Sequence, residues 1–217
     1  VLLAMSVPML GQFDPEFTEY MNETMALYRQ IYQTQNQWTF LINGTARAGI
    51  EACLGSLLSC GDKVLVPRFG RFGYLLMEIA QRVGGDVITL DTEWGTVFET
   101  GRICDAIYKH RPRVVALVHG DTSTTMAQPL DGISAVCREV DALLYVDTTA
   151  TLCGMPIPVD DLQLDAVSTG LQKCMSGPPG TSPITINERA AAVVNNRKHI
   201  EWGIRPDDYV AGDGPKI

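Results

Sequence analysis

Two side chains in this sequence have the types and the spacing to do chemistry together. Asp147 closes the apolar run Leu143-Leu144-Tyr145-Val146, and Lys173 follows a second apolar segment, Asp165-Ala166-Val167-Ser168-Thr169-Gly170. Each segment has the length and composition of a buried strand, with room for a crossover between them. A carboxylate at the carboxyl end of one strand and an amine just past another is the pair that pyridoxal phosphate chemistry requires. The acid keeps the pyridine nitrogen protonated so that the ring takes up electrons, and the amine condenses with the cofactor aldehyde. The lysine must be neutral when it acts as a base, which partial burial and a cationic neighbour both favour.

A phosphorylated ring also needs an anion site, a flat face and polar groups at the same end of one sheet. The spacing predicts a strand over 38–42, then the turn Asn43-Gly44-Thr45-Ala46-Arg47-Ala48-Gly49, then a helix through Leu58 closed by Cys60-Gly61. Strand, glycine turn and helix start present free N–H groups and a helix dipole to a phosphate. An ordinary αβ turn uses glycine in the same way, so this stretch leaves both readings open. It is neither a GK[ST] loop nor a GxGxxG turn.

Arg68-Phe69-Gly70-Arg71-Phe72-Gly73-Tyr74 lies between a predicted strand at 63–67 and a helix to Val83. Its aromatics either stack on a flat ligand or pack under the loop. The run 113–118 is the most β-branched in the chain and predicts a central strand buried on both faces. Past it comes His119-Gly120-Asp121-Thr122-Ser123-Thr124-Thr125, a polar turn placed where ligands of open α/β sheets lie. Thr122 either bonds a ligand oxygen or caps the loop, and His119 reads as a structural hydrogen-bonder.

The elements that carry these turns alternate. Strands at 86–90 and 182–186 and helices at 102–110, 133–140 and 187–202 complete a mainly parallel sheet covered by helices on both faces, an α/β fold. Asp14 followed by Pro15 starts a helix through Gln30 with Phe17, Met21, Met25 and Tyr28 on one face, and 8–13 ahead of it reads as a loop. With 46% apolar residues in 217, the chain has ample material for a core. Its net charge of −8, without a basic run, points away from nucleic acid and anionic membranes and toward a small molecule or another protein chain. The six cysteines at 53, 60, 104, 137, 153 and 174 form no CxxC pair and no zinc spacing, so reduced, mostly buried thiols, no metal and a cytoplasmic location are expected. No apolar run approaches a membrane span.

Together these segments resemble the class V, fold-type I aminotransferases, and within them the branch acting on ureidoglycine and glyoxylate. The resemblance is carried by Met9-Leu10-Gly11-Gln12-Phe13-Asp14-Pro15, Asn43 to Glu51, Gly70-Arg71-Phe72-Gly73-Tyr74, His119 to Thr124, Val146-Asp147 and Gly170-Leu171-Gln172-Lys173-Cys174. It implies the large domain of a pyridoxal 5′-phosphate enzyme, with Lys173 and Asp147 catalytic. It further implies that Thr45, Ala46 and Arg47 hold the phosphate with help from Gln172, and that Phe72 stacks on the ring where relatives often carry tryptophan. Thr122 would bond near the phenolic oxygen and Gln12 would reach the amino donor.

A homodimer is implied as well, and so are purine breakdown and a donor of the ureidoglycine type, with alanine or serine as alternative donors. A nucleotide-binding module and a non-catalytic remnant stand as readings from other classes. The start at Val1 and the turn-rich stretch 212–217 suggest a fragment. The expected division is a loop and helix over 1–30, a cofactor-binding domain over 31–202 and, from 203, a connection to a small carboxy-terminal domain missing from the chain.

Overall fold

The computed structural model describes residues 1–196. A short helix, α1 (Leu2–Met5), precedes the expected amino-terminal helix α2 (Pro15–Tyr32). Asp14 caps α2 by accepting from the Glu16 amide at 3.0 Å, and Pro15 at the first helical position needs no donor there. The apolar face of α2 is only half covered, with Tyr32 its one buried residue.

The chain then alternates through β1 (Trp38–Asn43), α3 (Ala46–Leu57), β2 (Lys63–Arg68), α4 (Arg71–Arg82), β3 (Asp86–Asp91), α5 (Thr100–His110) and β4 (Val114–Val118). After β4 comes a hairpin, β5 (Gly120–Asp121) with β6 (Met126–Ala127), where the sequence suggested an open turn. The remaining elements are α6 (Ile133–Glu139), β7 (Leu143–Asp147), β8 (Ala166–Ser168), β9 (Thr181–Ile186) and α7 (Glu188–Asn195). The expected end of the last helix near Trp202 and the connection from 203 onward lie outside the described residues.

Seven strands form one sheet in the order β1-β9-β8-β7-β4-β2-β3. The pairings β2–β3, β2–β4, β4–β7 and β7–β8 are parallel, and β9 runs antiparallel to both β8 and β1. Every residue of β4 and β7 is buried, as continuous apolar runs dictate for strands covered on both faces. On the helices, α4 turns Gly73, Leu76, Ile79 and Ala80 inward at helical spacing, leaving a polar outer face. α3 packs against β8 and β9 so closely that a Cβ on Gly49 would collide with Ser182, so only glycine permits that approach.

One expectation fails here. Cys53 and Cys137 are buried, but Cys60, Cys153 and Cys174 are exposed. Their segments, the turn after α3 and the loops after β7 and β8, run over the carboxyl and amino edges of the sheet rather than under it. Among the described residues no cysteines pair and no His, Cys, Asp or Glu cluster could hold a metal.

Candidate active site

Parallel β2, β4, β7 and β8 all end on one edge of the sheet, and their carboxyl ends carry the polar turns. A cavity of about 320 Å³ opens there, within the size range of small-molecule sites. Asp147 enters it from the end of β7 and Lys173 from the loop after β8. Thr45, Ala46 and Arg47 line it from the start of α3, Phe72 from the first turn of α4, Thr122 from the β5–β6 hairpin and Gln172 from beside Lys173.

Hydrogen bonds between the loops fix this arrangement. Thr148, just past β7, donates both its amide and its hydroxyl to the Ser168 carbonyl at 2.9 and 3.0 Å. Cys174 Sγ donates to the Ala150 carbonyl at 3.2 Å, and the Ser176 amide closes a turn onto the Lys173 carbonyl at 2.9 Å. The segment bearing the amine is therefore tied at both ends to the segment bearing the acid.

Asp147 is 4% exposed. Its Oδ1 accepts from the Thr149 amide at 3.0 Å and the Thr149 hydroxyl at 2.6 Å, whereas Oδ2 has no hydrogen bond among the described residues. Burial raises the acid's pKa, the two Thr149 bonds pull it back, and the nearby Asp121 charge raises it further. An oxygen left open in a cavity suits a cationic ring nitrogen. On the cavity wall, Thr45 occupies the cap position of α3 without spending its hydroxyl on the helix. The first amides of a helix have no partner inside it, so the turn offers donors, a dipole and the Arg47 guanidinium to an anion.

Of the two aromatics, Phe69 is buried in the core and Phe72 is half-buried on the cavity wall. The hydroxyl of Thr151 meets His119 Nδ1 at 2.8 Å, and burial lowers the imidazole's pKa, so His119 is a neutral structural residue. Two expectations are corrected. Lys173 is exposed at the cavity mouth, where partial burial was expected. Gln12 lies in the exposed stretch ahead of α2 and does not line the cavity. Sequence reasoning also passed over Thr149, Ile50 and Leu75, which line the cavity, and Asp121 behind it. For Thr149 a signal was present: a residue with N–H and O–H donors two positions after an aspartate forms a local side-chain turn.

The family profile described as aminotransferase class-V matches residues 4–199. The chain belongs to the class-V aminotransferases. It is 52% identical over 204 residues to an (S)-ureidoglycine–glyoxylate transaminase of Bacillus subtilis, covering 94% of this chain and 49% of that protein. The crystal structure of a ureidoglycine–glyoxylate aminotransferase from the same organism superposes with a TM-score of 0.90 at 51% identity, over 92% of this chain and 51% of the other. The alanine–glyoxylate aminotransferase of Rattus norvegicus is 34% identical over 91% of this chain and 48% of its own length. An alanine–glyoxylate aminotransferase structure from Nostoc reaches a TM-score of 0.90 at 39% identity, covering 93% and 54%.

This chain thus spans about half the length of the curated relatives it matches. Class-V aminotransferases are pyridoxal 5′-phosphate proteins, and the site fits that group: an open carboxylate oxygen, an amine, an aromatic wall and a helix start share one cavity. No described helix is long and apolar enough to cross a membrane.

Proposed function

We propose that the protein moves an amino group from (S)-ureidoglycine to glyoxylate, giving glycine. The observation that carries the reaction type is the meeting of Asp147 and Lys173 in one cavity that a helix start also lines. The donor is supported by the identity of 52% to the ureidoglycine enzyme against 34% to the rat alanine–glyoxylate enzyme.

Pyridoxal 5′-phosphate, when bound, supplies an electron sink for the pair of electrons left at the donor's α-carbon. The chain's own residues do the rest. Asp147 Oδ2 holds the proton on the ring nitrogen, and Thr149 aims the carboxylate by occupying Oδ1. Lys173 Nζ would accept the proton that leaves the donor α-carbon. Phe72 covers one ring face, Thr122 bonds beside the phenolic oxygen, and Thr45, Ala46, Arg47 and Gln172 hold the phosphate. A homodimer is part of this reading. A cytoplasmic role in purine breakdown, a cofactor-binding domain over 31–202 behind an amino-terminal 1–30, and from 203 the start of a connection to a small carboxy-terminal domain complete the reading.

Alanine remains a second donor, favoured by the likeness to the Nostoc enzyme. Purified protein offered glyoxylate with each donor decides between them: ureidoglycine should give the highest kcat/KM, and a strong preference for alanine or serine would end the donor assignment. Borohydride should fix a yellow chromophore onto Lys173. Lys173→Ala should lose both the colour and the half-reaction, and a variant that kept turning over would overturn the mechanism.

A further inference from the structure

Phe72 stands at the first turn of α4, yet that helix lacks a cap of its own. Gly70 occupies the cap position and makes no side-chain bond. No larger residue fits there, because a Cβ on Gly70 would collide with the carboxylate of Asp121. That carboxylate arrives from β5 and takes over the capping. Oδ2 of Asp121 accepts the Phe72 amide at 2.7 Å, and Oδ1 accepts the Ser123 amide at 3.0 Å and its hydroxyl at 2.6 Å. Ser123 Oγ in turn accepts the Arg71 amide at 2.9 Å. One carboxylate, 1% exposed, therefore satisfies the first two amides of α4, one directly and one through Ser123.

The same residue orders its own loop. The Asp121 carbonyl accepts the Thr124 amide at 3.2 Å and the Thr124 hydroxyl at 3.3 Å, closing the turn on which Thr122 faces the cavity. Asp121 itself does not line the cavity. It has no cation partner among the described residues, so its charge is balanced by N–H groups and the positive end of α4.

We infer that Asp121 is the positioning residue of this site, clamping Phe72 and Thr122 at a fixed separation so that both meet one face and one edge of the same ring. The inference rests on the reading of Phe72 as the stacking residue. Its logic is geometric: the aromatic wall and the threonine turn come from elements 49 residues apart in the chain, and this carboxylate joins them.

The test is binding of pyridoxal 5′-phosphate to the purified protein. Affinity is read by absorbance titration, and rigidity of the held ring by circular dichroism in the cofactor band. Asp121→Asn preserves size but has only one accepting oxygen, so either Phe72 or Ser123 loses its acceptor. We expect affinity to fall about 10-fold and the dichroism per bound cofactor to fall with it. Phe72→Leu should weaken binding comparably. The double variant should lose less than the two single losses combined, since one of the two groups the clamp positions is already gone. Losses that simply add would overturn the proposal, as would wild-type affinity and dichroism in Asp121→Asn.

If Asp121→Asn does not fold, Ser123→Ala removes the Arg71 arm and the hydroxyl bond to Asp121 while leaving the Phe72 amide its acceptor. It should show a smaller loss that again shrinks in the Phe72→Leu background, and an additive loss there counts equally against the clamp. Wild-type protein that forms no adduct at Lys173 would instead defeat the reading of the site, and the clamp with it.

Discussion

Asp121-Thr122-Ser123 and Asp147-Thr148-Thr149 are the same short pattern set at two strand ends, β5 of the small hairpin and β7 of the main sheet, and their first oxygens behave identically. In each, Oδ1 takes an amide at 3.0 Å and a hydroxyl at 2.6 Å from the residue two positions on. The second oxygens part company. Oδ2 of Asp121 is spent on the Phe72 amide, while Oδ2 of Asp147 is left facing the cavity. One aspartate has become a structural clamp and the other a chemical group, although the local sequence treats them alike. An acid becomes available to a ligand when the fold withholds a partner from it, and a buried polar atom without a partner is costly until a ligand supplies one.

The comparison breaks most visibly in the reaction rate. Asp147→Asn should slow the half-reaction by about 10²–10³-fold, because it removes a charge preorganised against the reacting centre, whereas Asp121→Asn should act mainly through cofactor affinity. Single-turnover kinetics at saturating cofactor separates the two, and equal rate losses would erase the distinction. A smaller effect sharpens it. Thr149→Val removes one bond from Asp147 and should destabilise the protein by about 1 kcal/mol in urea unfolding, while weakening the aim of the open oxygen. A loss confined to stability, with the cofactor spectrum unchanged, would show that Thr149 does not orient the acid.

The smallest expected effect is a pH dependence of the cofactor-free protein. Burial raises the pKa of Asp147 in the folded state. Its contribution to stability is therefore complete below the ordinary carboxylate pKa, about 4, and is lost as pH rises through the raised value. The difference in unfolding free energy between wild type and Asp147→Asn should shrink over that window, measured by thermal melts without cofactor. A difference that grew with pH would contradict the burial of this acid as the dominant influence.

Much of this molecule was legible along the chain. The all-apolar β4 and β7, the capped start of α2 at Asp14-Pro15 and the glycine turn before α3 each follow from a rule spanning a few residues. Thr45, Thr122, Asp147 and Lys173 stood out because each sits just beyond a strand, whereas Ala46, Arg47, Phe72 and Gln172 entered through the family resemblance, and all eight line the cavity. The choice between stacking and packing for Phe69 and Phe72 was not legible from the turn itself, since each precedes a glycine and only the direction of α4 separates them. Nor was the exposure of Lys173 and Cys174, which depends on how the loop after β8 lies over the sheet edge.

By itself the sequence determined which residues form strands, which turns end them and which oxygen of each aspartate is bonded locally, because those outcomes involve neighbours two to four positions apart. Tertiary structure alone decided that Asp121 would reach an amide 49 residues away and that Asp147 would keep an oxygen free. The physical reason is that a local hydrogen bond is made within one turn of chain, whereas a partner from a distant element exists only once helix and strand have packed.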